Sequence, residues 1–146
     1  MVSGEVSGKV RCVAPPAFGS AVDTSSRGEP GKPSWGRETS LVEMPFTWGL
    51  DDFPAFEHVW TRNGVNPGLA SPSQIYEIWA GDFDYLYERV GEGVYILTMH
   101  PQVIGRGHRL LMLERLVNHI RERNGISFKT MGEVALEFKE SNPPKN

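Results

Sequence analysis

"GVYILTMHPQVIGRGHR", residues 93–109, is the stretch that decides the fold. Its short apolar run at 94–99 predicts a strand buried on both faces, which is typical of parallel sheets. The run ends at His100 and Pro101, and because proline has no amide hydrogen, the chain must leave the sheet there. His100 is therefore expected at the rim of the sheet, at the carboxyl end of a strand.

Three amphipathic helices are predicted around this strand. Ser71, Pro72 and Gln74 form a capping box with proline at the first helical position. The apolar face that follows consists of Ile75, Trp79, Phe83, Leu86 and Val90, and Gly91 and Gly93 end the helix. The second helix is expected to bury Leu110, Leu113, Leu116, Val117 and Ile120 and to end at Gly125. The third opens with a capping box at Thr130 and Glu133 and turns Val134, Ala135 and Phe138 inward.

Strands alternate with these helices, which predicts an α/β layer with parallel strands. Further strands are expected at 41–46 and 126–129, with a weaker one at 10–14. Residues 1–38 are rich in Gly, Pro and Ser and predict a disordered or irregular arm. The folded domain is expected at 39–140 and a frayed tail at 141–146.

Composition excludes several classes of function. A net charge of −3 argues against nucleic-acid binding, and no apolar run approaches the roughly 18 residues of a membrane span. The single cysteine, Cys12, cannot form an internal disulfide or a cysteine metal site, which favours a reduced, cytoplasmic setting. The N-terminus lacks the charged-then-apolar pattern of a secretory leader.

His100 is the first candidate for chemistry, because reactive groups in parallel α/β folds collect at the carboxyl ends of strands. It suits a general acid, a general base or a metal ligand; the alternative is a half-buried histidine bound to a backbone carbonyl. Arg106, His108 and Arg109 lie at a helix N-terminus, where cations are disfavoured. They require an anionic partner, a carboxylate elsewhere in the fold, or solvent.

The stretch "TWGLDDFPAFEHVW", residues 47–60, carries paired aspartates. Asp51 and Asp52 can bind a metal, hold a cation or orient a histidine, and nearby aromatic side chains would strengthen such contacts. The alternative is a helix N-cap, with Phe53, Phe56 and Trp60 in the core.

Three segments resemble the polysaccharide deacetylase family, the NodB-homology enzymes, especially its peptidoglycan-deacetylase-like and allantoinase-like branch. They are "LVEMPFTWGLDDFP", "YEIWAGDFDYLYE" and "YILTMHPQVIGRGHRLLMLERLVNHIRERNGISFKTMGEVA". The resemblance implies a distorted (β/α) barrel that hydrolyses N-acetyl amides of carbohydrates with zinc or a similar metal held by one Asp and two His. It implies that His100 protonates the departing amine, and that Asp51 or Asp52 lines the same cleft. Trp48, Arg106 and His108 are expected to bind the carbohydrate or small amide substrate.

The sequence departs from the family in its metal motifs. A T-F-D-D-G segment is absent, and the four histidines, at 58, 100, 108 and 119, include no H-x-x-x-H pair. A full barrel needs roughly 200 residues or more. The chain is therefore expected to be the C-terminal portion of such a hydrolase, or a truncated gene product, with no metal ligands and little activity alone. The rival is a non-catalytic half-barrel that assembles with a partner chain or with itself, because strand 94–99 would lack full cover.

Overall fold

The computed structural model describes residues 10–14, 42–44 and 46–142. Its centre is a parallel three-stranded sheet in the order β4-β1-β5, with β1 at Val10–Ala14, β4 at Gly93–Ile96 and β5 at Ile126–Thr130. Val10 pairs with Gly93 on one side and with Ile126 on the other. The predicted α/β class with parallel strands is confirmed, and the described sheet is not closed, as in part of a barrel.

Helices and one hairpin complete the chain order. The elements are a 3-10 turn (Trp48–Leu50), α1 (Asp52–Phe56), β2 (Val59–Thr61), β3 (Gly64–Asn66), α2 (Pro72–Tyr85) with a π turn (Leu86–Val90), α3 (Pro101–Ile104), α4 (Gly107–Arg121) and α5 (Met131–Ser141). Strands β2 and β3 form a separate antiparallel hairpin. Each described helix is too short or too polar to cross a membrane.

Local capping explains why the helix boundaries follow the sequence. Gln74 accepts a hydrogen bond from the Ser71 amide at 3.3 Å, and the Thr130 hydroxyl accepts one from the Glu133 amide at 3.3 Å. The Glu133 carboxylate in turn accepts the Thr130 amide, and this bond together with the Thr130 hydroxyl lowers the pKa of Glu133. Gly91 ends the π turn in the left-handed conformation, at φ 83°.

Two apolar clusters lie on opposite faces of β4. The larger one packs α2 against α4 and includes Trp79, Phe83, Tyr95 and Leu116, whereas Ile96 joins a smaller cluster with Met44, Met131 and Val134. The strand is therefore buried on both faces, as predicted. The expectation that the run 94–99 lacks full cover is wrong at its centre, where Tyr95, Ile96 and Leu97 are buried, although the remaining residues of the run are half-buried.

Three sequence expectations need correction. The arm predicted at 1–38 is corrected only at 10–14, where the weaker strand that the sequence also predicts is confirmed as β1, the central strand; the rest of that range lies outside the described residues. The strand expected at 41–46 is absent from its described part, where Val42 and Met44 are buried without joining a ladder. The tail expected at 141–146 starts late, because Ser141 still belongs to α5, and residues 143–146 lie outside the described chain.

The buried face of α4 differs in part from the predicted one. Leu116 and Ile120 are buried as predicted, and Leu113 and Val117 are half-buried, but Leu110 is exposed and the stripe is completed by Arg109 and Met112. A run of leucines at 110, 111 and 113 offers more than one apolar stripe, and tertiary packing selects the stripe that begins with an arginine.

Candidate active site

The carboxyl end of the strand segment after β4 lies beside the start of α1. The Thr98 amide donates to the Leu50 carbonyl at 2.9 Å, and the Asp52 amide donates to the Thr98 carbonyl at 3.1 Å. This short parallel pairing stops where Pro101 removes the next donor, and His100 becomes the N-cap of α3. Two segments far apart in sequence thus bring the paired aspartates to the rim histidine.

Asp52 and His100 form a carboxylate–imidazole pair. His100 Nδ1 lies 2.7 Å from Asp52 Oδ1, and the His100 amide donates to Asp52 Oδ2 at 2.9 Å. Asp52 is fully buried, so its charge relies on these donors rather than on water. Because a carboxylate oxygen can only accept, Nδ1 carries the hydrogen and Nε2 lies on the opposite side of the ring.

Asp51 has a different role. Its Oδ1 accepts the Phe53 amide at 2.8 Å and caps α1, and the same oxygen lies 3.9 Å from His100 Nδ1. Each of the two roles that the sequence left open is filled by one of these adjacent residues: Asp51 caps the helix, and Asp52 orients the histidine. Of the aromatic residues expected in the core, Phe56 is buried, whereas Phe53 is partly exposed and Trp60 is 77% exposed.

The surroundings of His100 favour its protonated form. The hydrogen bond to Asp52 raises the pKa of His100 above its ordinary value near 6.5, and the charges of Asp52 and Asp51 act in the same direction against desolvation. The His100 side chain is 38% exposed, and the Phe53 ring lies 5.7 Å from its ring. A partly exposed histidine with a raised pKa, held by a buried carboxylate, is suited to deliver a proton.

Within the described chain, Asp51, Asp52 and His100 are the one group of potential metal ligands that lie close together. They do not fit a zinc site as arranged. The ring nitrogen that faces the two aspartates, His100 Nδ1, carries the hydrogen that it donates to Asp52 Oδ1 and so has no lone pair for a metal, whereas Nε2 lies on the opposite side of the ring from both carboxylates. We therefore assign no metal role to these three residues.

The remaining sequence candidates lie apart from this pair. Trp48 is 68% exposed in the 3-10 turn that precedes Asp51, and its ring contacts Phe46 at 5.4 Å. Arg106 is the exposed N-cap of α4, and His108 lines a shallow depression between α2 and α4 together with Tyr76 and Arg115. Their role in substrate binding stays a prediction.

Arg109 is a residue whose place the sequence left open. It is only 8% exposed, and its guanidinium donates to the Glu57 carboxylate at 3.0 Å. Of the three partners considered for the cations near the start of α4, a carboxylate elsewhere in the fold is the correct one for Arg109. The sequence signal for this burial is the spacing of Arg109 three residues before Met112, which places both on one face of the helix.

This rim site occurs in an α/β layer of the barrel type, and comparisons with known proteins give its class. The sequence is 36% identical over 110 residues to a peptidoglycan deacetylase of Helicobacter pylori, covering 75% of this chain and 37% of that protein. It is 27% identical over 110 residues to a peptidoglycan deacetylase-like protein of Gibberella zeae, covering 70% of this chain and 32% of that protein. A scan against protein-family models finds no match.

The fold comparison agrees with the sequence comparison. A crystal structure from Mycobacterium smegmatis, provisionally named polysaccharide deacetylase, superposes with a TM-score of 0.61 and 21% identity over 73% of this chain and 37% of that one. The chain belongs to the polysaccharide deacetylase family. It spans only about a third of the length of the relatives it matches, 37% and 32% for the two named above.

Proposed function

We propose that this chain supplies the proton donor of a hydrolase that cleaves the N-acetyl C–N bond of a carbohydrate. The observation that carries the proposal is the pairing of a rim histidine with a fully buried carboxylate, His100 with Asp52, at 2.7 Å. The names of the two relatives, a peptidoglycan deacetylase and a peptidoglycan deacetylase-like protein, support an acetylated sugar polymer as the substrate class.

The proton transfer follows from the two ring nitrogens. Nδ1 stays bound to Asp52, so the mobile proton of the imidazolium is on Nε2. As the C–N bond breaks, its electron pair goes to nitrogen, and Nε2 delivers the proton that turns this nitrogen into a neutral amine. Asp52 stabilises the imidazolium beforehand and fixes the plane of the ring.

The rest of the machinery is proposed to come from residues outside this sequence. The metal of the family, where bound, supplies an activated water and a polarised carbonyl. No two of the four histidines here have the spacing of the H-x-x-x-H pair. We therefore expect the 146-residue chain alone to have little or no deacetylase activity, since general acid catalysis supplies about 10²–10⁴-fold of a far larger acceleration.

A chimera tests the proposal. The matched 110 residues of the Helicobacter pylori enzyme would be replaced by the corresponding part of this chain, and acetate release from an acetylated glycan measured. We expect an active chimera in which His100→Ala lowers kcat by about 10²–10⁴-fold while the metal content stays unchanged. His58→Ala is the control, because His58 is an exposed histidine bound to the Pro67 carbonyl.

Two results would contradict the proposal. Loss of metal in His100→Ala would mean that His100 is a metal ligand. Cleavage of an acetamide by the isolated chain, with a metal that it binds itself, would mean that the whole active site lies within this sequence.

A cytoplasmic location belongs to the same proposal. It rests on the single cysteine, because disulfides are rare in reducing compartments.

The second candidate is a non-catalytic half-barrel that assembles with another chain or with itself. Within the described residues, β5 pairs with β1 on one side only, and unpaired strand edges favour association. A chimera that stays inactive, together with a concentration-dependent mass in sedimentation of the 146-residue chain, would favour this candidate.

A further inference from the structure

Arg109 joins the ends of the two short helices that carry the proposed catalytic pair. Its Nη1 donates to the Val103 carbonyl at 2.7 Å and to the Glu57 carboxylate at 3.0 Å, and its Nη2 donates to the Phe56 carbonyl at 3.3 Å. Phe56 is the last residue of α1, and Val103 lies in the last turn of α3. One guanidinium on α4 therefore holds both helices.

Helix ends explain why an arginine is suited to this place. The last carbonyls of a helix have no partner within it and carry partial negative charge. A planar guanidinium can donate to several such acceptors at once, which the single ammonium of lysine does less well. The Arg109 guanidinium also lies 4.7 Å from the centre of the Phe56 ring, a cation–π contact in a largely buried site.

The opposite ends of the same helices carry the candidate active site. Asp52 begins α1, and His100 immediately precedes α3. The His100 carbonyl accepts the Val103 amide at 2.8 Å, so the residue held by Arg109 is bonded back to the histidine. A shift of either helix end would be transmitted over a single turn to the 2.7 Å contact between Asp52 and His100.

We propose that Arg109 is a positioning residue, which fixes the distance between Asp52 and the His100 ring by holding the far ends of α1 and α3. The catalytic meaning of that distance rests on the proposed function. The effect of that distance on the His100 ring can be measured without any enzymatic activity.

The test is the titration of His100, followed by NMR of its ring in the 146-residue chain carrying Arg109→Lys. Lysine keeps the positive charge and most of the aliphatic chain but lacks the planar guanidinium that donates to three acceptors. We expect the pKa of His100 to fall toward 6.5, because a longer Asp52–His100 contact removes the main cause of its rise. Arg115→Lys is the matched control, since Arg115 is an exposed arginine of the same helix that stacks on Tyr76, and we expect no change there.

The direction of the pKa change of His100 distinguishes lost geometry from lost charge. Arg109→Met removes a positive charge, which by itself would raise the pKa of a nearby histidine, so a fall in this variant can only come from lost geometry. An unchanged or raised pKa of His100 in folded Arg109→Lys and Arg109→Met would overturn the proposal, whatever happens to the melting temperature.

Two further measurements keep the outcome decisive. If neither Arg109 variant folds, Glu57→Gln weakens the ion pair with Arg109 at a half-exposed residue. The measurement is then hydrogen exchange of the His100 amide, which donates to Asp52. Faster exchange supports the proposal, and unchanged exchange refutes it. In the active chimera, Arg109→Lys should lower kcat about tenfold or more with little change in KM. A chimera inactive even with Arg109 would count against the proposed function and leave the titration result standing.

Discussion

At the scale of single residues, the Asp52–His100 contact links folding stability to pH. The folded state raises the pKa of His100, so it binds the proton more tightly than the unfolded chain does. The stabilisation is therefore fully present below about pH 6.5, the ordinary value for histidine, and is lost as pH rises through the pKa of the folded state.

We predict that His100→Gln costs more stability in acid than in base. The free energy of unfolding, measured by urea at a series of pH values, should differ between wild type and variant by an amount that shrinks as pH increases. In an Asp52→Asn background this trend should vanish, because the acceptor that favours the imidazolium is gone. A difference that grows with pH would show that His100 is preferentially neutral in the folded chain.

Sequence reasoning located His100 more securely than its partner. Pro101 marks the end of a strand by a local rule, so the rim position follows from two adjacent residues. The choice between Asp51 and Asp52 depends on pairing with Thr98, which no local pattern contains. Arg109 was harder still, since its acceptors come from segments on either side of α2.

At the scale of elements, α2 positions the loop that carries the aspartates. Trp79 is fully buried, and its indole Nε1 donates to the Gly49 carbonyl at 2.8 Å. Its own carbonyl accepts the Tyr95 hydroxyl at 2.7 Å. One residue of α2 thus connects the 3-10 turn before Asp51 with the strand that leads to His100.

We predict that Trp79→Phe lowers the free energy of unfolding by about 1–3 kcal/mol, from the lost hydrogen bond and the smaller ring in a packed site. Urea unfolding followed by circular dichroism is the measurement. Tyr85→Phe on the same helix serves as the control, because Tyr85 is largely exposed and surface substitutions stay within about 0.5 kcal/mol. Equal effects of the two substitutions would mean that the indole bond contributes nothing measurable.

Helix boundaries were predictable, whereas helix orientation was only partly so. Caps at Ser71 and Thr130 are local and came out as expected. In α4 the predicted face is correct at Leu116 and Ile120, but its first turn differs, because Arg109 is buried against α1 and α3 and Leu110 is exposed. Propensity and periodicity do not contain that choice, because it depends on acceptors in other elements.

At the scale of the whole molecule, the centre of the sheet is a strand that lies far away in the sequence from its two neighbours. Residues 10–14 separate β4 from β5, so these two strands meet only through β1. The sequence predicts this strand only weakly, because it is five residues long and lies in a segment rich in glycine and proline. Its pairing with Gly93 and Ile126 is a long-range property that a local reading underestimates.

A central strand cannot accept proline, because every amide faces one of two neighbours. Cys12 lies in register with Tyr95 on one side and Phe128 on the other. We predict that Cys12→Pro lowers the free energy of unfolding by at least about 2 kcal/mol more than Cys12→Ala, which keeps the amide. Thermal and urea unfolding of both variants measure the difference, and alanine isolates the part that comes from the backbone. If the two variants unfold alike, β1 does not hold the sheet together; if proline removes the cooperative transition, the pairing at the centre also supports the strand that delivers His100 to the rim.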